Sequence, residues 1–171
     1  MLSFPVNAER DGMTRAFIGI GSNVGDREAA LTEAISRLAE TAGQVVLRSA
    51  LYRTEPVEVI DQAEFMNQVV AVDTPLEPAK LLERLLAIER AMGRVRSRDK
   101  GPRTIDLDLL LQGDAVVRAV GIEVPHPRLH LRRFVLVPLA ELAPDLVHPV
   151  LGESISALLA RCPDQALVAR A

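Results

Sequence analysis

The sequence predicts an α+β, ferredoxin-like fold: a largely antiparallel sheet with helices on both faces. Three observations carry that expectation. The 171 residues suit one domain with a sizeable core and are too few for two ordinary ones. The elements read in the order strand, helix, strand, strand, helix, strand. Two further apolar helical stretches follow and are available to cover the second face.

Taken in order, residues 1–14 show no periodic apolar pattern and read as a loose N-terminal tail, leaving 15–171 as a single domain. Acidic Glu9 and Asp11, with no long apolar segment, set that tail apart from a signal peptide. AFIGI at 16–20 is a short apolar strand running into the turn GSNVGD. Asp26 is placed to cap a helix in which Ala30, Leu31, Ala34, Ile35, Leu38 and Ala39 recur at helical steps until Gly43. Residues 44–53 and 65–72 read as strands joined by a polar connection that is long for a hairpin. Pro78 suits a first helical turn, and Leu81, Leu82, Leu85, Leu86 and Ile88 carry that helix to about Met92, where Gly93 stops it. IDLDLLLQG at 105–113 is the next strand. A short element near Val116, the loop VPHPRLH, and helices at 134–142 and 154–160 complete the outline.

Composition excludes several functions. A net charge of −3 argues against a general nucleic-acid coat or a polybasic membrane binder, so any basic site is local. The single cysteine, Cys162, permits neither an internal disulfide nor a thiolate zinc cluster and suits a reducing cytoplasm. No apolar run approaches the roughly 18 residues that span a bilayer.

One local site does emerge. Between Arg90 and Arg103 stand Arg90, Arg94, Arg96, Arg98, Lys100 and Arg103 against Asp99 alone. A basic run by itself is commonly a solvated loop. Here it leads into Asp106 and Asp108, which lie two apart on a strand and so share a face, about 6 to 7 Å apart. Ile105, Leu107 and Leu109 face the other way. Few carboxylates beside many cations suit Mg²⁺ held on a polyphosphate, with the arginines neutralising charge during transfer. GSNVGDR lacks the Lys-Ser/Thr ending of a P-loop, and its glycines read as turn residues beside a helix cap. Phe65 and Asn67 share a strand face, Phe134 follows Arg132, and His126 is set between prolines, each of them either packing or a ligand contact.

KGPRTIDLDLL at 100–110 resembles the signature of the 6-hydroxymethyl-7,8-dihydropterin pyrophosphokinase family of folate biosynthesis. The likeness continues through AFIGIGSNVGD, LYRTEP, DQAEFMNQVV, the run from Glu89 to Arg96 and VPHPRLHLRRFVLVPLAELAPDL, covering the chain from about residue 16 onward. The resemblance implies an ATP-dependent diphosphotransferase that moves the β,γ-pyrophosphoryl group of ATP to the pterin hydroxymethyl oxygen and releases AMP. It implies that Asp106 and Asp108 bind two Mg²⁺ ions and act in catalysis with Arg94 and Arg103. Glu89, Arg96, Arg98, Lys100, His126 and Arg132 would line the ATP side. Phe65 and Phe134 would sandwich the pterin, Asn67 would bond its edge, and Thr54, Glu55, Pro56 and Val57 would offer backbone contacts. The implied protein is a cytoplasmic monomer acting on small molecules, with neither nucleic acid nor membrane as a partner.

Three positions depart from the family pattern. Lys100 stands where many relatives carry an aromatic residue, in a loop one residue shorter. Leu86 occupies a glutamine position, and Pro127 replaces an aromatic beside the histidine. Two other classes remain open to the residues alone. One is a magnesium phosphohydrolase, which needs a positioned water. The other is a non-catalytic nucleotide- or RNA-binding module, which would want exposed stacking aromatics and a wider basic surface.

Overall fold

The computed structural model describes residues 11–55, 63–94 and 104–171. Alternation along strand β1 (Thr14–Ser22) sends Ala16, Ile18 and Ile20 into one core and Phe17 into another. The tail expected at 1–14 is corrected at its inner end. Thr14 is a ladder residue paired with Thr74, because strand β4 (Phe65–Thr74) runs far enough to meet it. Next to that rung Arg15 holds Asp73 through bonds of 2.9 and 3.1 Å.

Helix α1 (Arg27–Thr41) begins as expected, the Asp26 carboxylate accepting from Ala29 N at 3.0 Å, and buries Leu31, Ala34, Ile35 and Leu38. The stretch 44–53, expected as one strand, is two. Strand β2 (Gln44–Arg48) pairs with residues 70–73 of β4, and β3 (Tyr52–Thr54) with residues 65–67. Ser49 makes the break. Its hydroxyl accepts from Val69 N at 3.0 Å and its carbonyl from Gln68 Nε2 at 2.7 Å, so side chains satisfy backbone groups there.

Helix α2 (Pro78–Ala91) buries Leu81, Leu85, Ile88 and Glu89. Strand β5 (Asp106–Gln112) is followed by a hairpin, β6 (Val117–Ala119) and β7 (Ile122–Val124), where the sequence showed only a short element. After a 3-10 turn at Leu129–Leu131 come α3 (Arg133–Leu142) and α4 (Ile155–Ala160), the latter capped by Ser154. Strand β8 (Val168–Arg170) was not legible, since three residues show no period of their own.

The main sheet runs β5-β1-β4-β3-β8, with β2 also on β4, and every pairing is antiparallel. Helices α1 and α2 cover Ile18, Ile20, Val70, Leu107 and Leu109. Helices α3 and α4 cover Phe17, Val69, Ala71, Leu110 and Leu111. Helices therefore lie on both faces. Between β1 and β5 the register shifts at Phe17/Ile18 and leaves Leu110 as the extra residue. This bulge returns Leu111 to the α3 side, although it shares parity with Leu107 and Leu109. On the open side of the bulge Asp106 and Asp108 remain on the α3 face. Among the described residues no helix is long and apolar enough to cross a membrane.

Candidate active site

Two glycines of β1 make room for a site. Gly19 pairs with Asp108 and Gly21 with Asp106, so that face of β1 carries no side chain between the acids of β5 and Asn67 of β4. A Cβ at Gly21 would lie 2.6 Å from Asn67 Oδ1, and Phe65 is 3.8 Å from the same point. Gly21 is thus a floor residue inside a strand, not the turn glycine expected; Gly25, at φ +68°, is the turn residue. The floor opens as a narrow cleft lined by Gly19, Gly21, Asn67, Asp106, Asp108 and Phe134. Behind it, Asn67 Nδ2 donates to the buried Thr54 Oγ1 at 2.5 Å.

The end of α2 sets the first cation. Gly93, at φ +83°, lets Arg94 N donate back to Glu89 O at 3.0 Å, which fixes the residue directly after the turn. From there the Arg94 guanidinium bonds both the Glu89 carboxylate and Asp106 Oδ1, the latter at 2.6 Å. Glu89 Oε2 also accepts from Leu107 N at 3.1 Å. Only 3% of the Glu89 side chain is exposed, and burial pushes its carboxyl above the ordinary range, against the pull of Arg94.

A cavity of ≈ 580 Å³ adjoins the acids. Arg94, Asp106, Asp108, His126, Arg128 and Arg132 give it polar walls, while Leu82, Leu86, Leu109, Ile122 and Val124 of α2, β5 and the hairpin give it apolar ones. His126 Nδ1 accepts from Arg128 N at 3.2 Å, which leaves the ring proton on Nε2. Burial first, then the charge of Arg132, lowers its pKa to about 4. Arg132 also lies over the Phe134 ring, its Cζ 5.6 Å from the centroid, at the seam between cavity and cleft.

The depressed His126 pKa makes a pH prediction. The folded state disfavours the imidazolium, so the stabilisation from neutral His126 is complete above the ordinary value of 6.5 and is lost as pH falls through about 4. An NMR titration of the His126 ring should therefore centre near pH 4. A midpoint at the ordinary value would contradict the buried setting.

Asp106 and Asp108 are hard oxygen donors, and among the described residues no group of three His, Cys, Asp or Glu side chains is placed to hold a metal. An ion on this pair keeps positions for water and phosphate oxygens, the coordination that Mg²⁺ prefers. The donor set therefore fits magnesium.

Of the residues singled out in the sequence, Arg94, Asp106, Asp108, His126 and Arg132 line the cavity; Asn67 and Phe134 meet the acids in the cleft, with Phe65 and Thr54 beside Asn67. Glu89 stands one layer back, behind Arg94. Glu55 turns its carboxylate to Leu167 N at 3.3 Å. Pro56, Val57, Arg96, Arg98, Lys100 and Arg103 lie outside the described residues. Sequence reasoning missed the Gly19–Gly21 floor, whose signal was glycine alternating on a strand, and Arg128, which stood in the quoted HPRLH loop.

The candidate site residues all fall within 17–144, the stretch matched by the family model described as 7,8-dihydro-6-hydroxymethylpterin-pyrophosphokinase. The chain belongs to this pyrophosphokinase family. A 2-amino-4-hydroxy-6-hydroxymethyldihydropteridine pyrophosphokinase of Methylorubrum extorquens is 51% identical over 150 residues, covering 87% of this chain and 94% of the relative. The folic acid synthesis protein fol1 of Pneumocystis carinii is 40% identical over 148 residues; the match covers 86% of this chain but 20% of that longer protein. Wild-type Plasmodium falciparum HPPK-DHPS shares the fold at a TM-score of 0.71 and 16% identity, over 91% of this chain and 46% of that one. In this pyrophosphokinase Leu86 is part of the cavity's apolar wall.

Proposed function

We propose that this pyrophosphokinase transfers the β,γ-pyrophosphoryl group of ATP to the hydroxymethyl oxygen of 6-hydroxymethyl-7,8-dihydropterin and releases AMP. As a member of the family the chain is an ATP-dependent diphosphotransferase of folate biosynthesis. The observation that carries the site assignment is that Asp106 and Asp108 line both the cationic cavity and the Asn67–Phe134 cleft. A reaction between two substrates needs such a shared boundary, where both reacting atoms are held in contact distance.

In this reading ATP occupies the cavity, its base against the walls of Leu82, Leu86 and Ile122 and its phosphates toward Arg94, Arg128 and Arg132. Two Mg²⁺ ions on Asp106 and Asp108 supply charge neutralisation on the transferring phosphates. The chain's own cations, with Arg96, Arg98, Lys100 and Arg103 among them, orient the polyphosphate and stabilise charge on the leaving AMP. The pterin lies in the cleft between Phe65 and Phe134, with Asn67 and the Thr54–Val57 segment bonding its edge. Neutral His126 can donate through Nε2 without adding charge. The enzyme acts as a cytoplasmic monomer on small molecules. Family membership favours neither a phosphohydrolase nor a nucleotide- or RNA-binding module.

Incubation with Mg²⁺, ATP and the hydroxymethyl dihydropterin tests the reaction directly. AMP is the expected product; ADP, or free phosphate made without pterin, would overturn it. The cleft has its own prediction. Phe65→Ala, Phe134→Ala and Asn67→Ala should each weaken pterin binding by about 1 to 3 kcal/mol while leaving ATP binding in place. Phe17→Ala, at a fully buried core ring, should instead cost about 3 to 5 kcal/mol of stability and spoil both ligands together. Calorimetry on each ligand, with a melting curve alongside, distinguishes these outcomes.

A further inference from the structure

Phe134 of the cleft and the strand that backs its Asn67 are both held from beyond the family match. That match ends at residue 144, yet the segment from Asp164 to Arg170 reaches back to the elements carrying Thr54 and Phe134. Helix α3 starts at Arg133 with no side-chain bond from its own N-cap residue, Arg132. Asp164 supplies the cap from afar, its Oδ2 accepting from Arg133 N at 3.0 Å while its Oδ1 accepts from Ala166 N at 2.9 Å. One carboxylate thereby satisfies an orphan donor at the positive end of α3 and fixes the turn that delivers it. Phe134 is the next residue of that first helical turn.

Strand β3, which backs Asn67, is held a few residues later. The Leu167 carbonyl accepts from Glu55 N at 3.4 Å, and Leu167 N donates to Glu55 Oε2 at 3.3 Å. Val168 pairs with Thr54, whose hydroxyl accepts from Asn67. Arg170 closes the loop. It donates to Glu141 Oε1 of α3 at 2.9 Å, while Glu141 Oε2 accepts from Tyr52 OH of β3 at 3.0 Å and Ala50 N at 2.9 Å. Without β8, three-residue β3 would be an edge strand, and short edge strands are weakly ordered.

We propose that residues 164–170 are a positioning strap for pterin recognition. Asp164 sets the first turn of α3 and hence the Phe134 ring, while Leu167 and β8 set Glu55 and Thr54, the hydrogen-bond partner of Asn67. The inference rests on the cleft being the pterin site. The strap touches neither substrate; it acts by reducing the ordering cost of binding. No strap residue lines the ATP cavity, so its effect is selective.

The test uses Asp164→Ala and, separately, Ala169→Pro. Ala169 pairs with Arg53 between the bonds Ala171 N to Leu51 O and Glu55 N to Leu167 O, which makes it a hydrogen-bonded rung whose donor proline removes. Hydroxymethyl dihydropterin is titrated into protein saturated with Mg²⁺ and a non-hydrolysable ATP analogue, and the analogue is titrated alone. Each variant should raise the pterin Kd about five- to tenfold, as expected when one or two recognition groups lose preorganisation, and leave the analogue within about twofold. Asp164→Asn, which keeps an acceptor oxygen, should recover most of the pterin affinity. Unchanged pterin affinity, or equal loss of both ligands, overturns the strap. Phe134→Ala in the same titration separates the two ideas. If it leaves pterin binding intact, the cleft assignment fails; if it weakens binding while Asp164→Ala does not, the strap alone fails.

Discussion

Asp108→Ala and Asp106→Ala are each expected to lower turnover by about a thousandfold or more, since metal-borne neutralisation of transferring phosphate is worth several kcal/mol. Neither side chain belongs to the apolar cores: both share the face over the Gly19–Gly21 floor, while Leu107 and Leu109 pack beneath α1 and α2. Far-UV circular dichroism should therefore show both variants folded. The structure adds a difference between them. Asp106 bonds Arg94 at 2.6 Å, so its removal also takes a partner from a half-buried cation and should cost stability of about 1 to 3 kcal/mol. Asn variants keep the shape and lose the charge, and should lose turnover to a similar extent. A near-wild-type rate for either alanine variant in excess Mg²⁺ would remove the acids from catalysis.

Arg94→Ala is expected to destabilise the fold by about 3 to 5 kcal/mol, because it takes the cationic partner from the buried Glu89 carboxylate. Glu89 is 3% exposed and Arg94 12% exposed, with Asp106 adding like charge next to it. Loss of the guanidinium removes the main force opposing the upward push of burial on the Glu89 carboxyl. A carboxyl raised in the folded state binds more protons there than when unfolded. The associated stability is present below the unfolded value of 4.5 and is lost as pH rises through the folded one. The Arg94→Ala deficit should therefore be smaller at pH 5 than at pH 8. Adding Glu89→Gln to Arg94→Ala should restore much of the stability while turnover stays low, since the cation at the cavity is still missing. Denaturant melts of the two single variants and the double variant at both pH values check this. A pH-independent deficit would mean that the Glu89 carboxyl stays ionised at both pH values when Arg94 is gone.

Part of this was legible from residue order alone. Gly93 after an apolar stripe ended α2, Asp26 before one began α1, and Asp106 and Asp108 at a two-residue step had to share a strand face. These follow from local rules, in which cap chemistry, glycine at positive φ and side-chain period act within a few residues. Other features depended on partners far along the chain. The break at Ser49 exists because Gln68 and Val69 lie opposite it, and nothing in residues 44–53 announces them. Strand β8 exists because β3 offers an edge.

By itself, then, the sequence determined the α+β class, the helices on both faces, and an acid pair beside a run of cations, because each rests on periodicity or on charge counted over neighbours. Only the tertiary structure decided that Arg94 turns back to Glu89, that Gly19 and Gly21 clear the floor under the acids, and that Asp164 caps α3 from the far end of the chain. Burial is the physical reason. A carboxylate or guanidinium removed from water must find its partner wherever the fold brings one, and sequence separation plays no part in that choice.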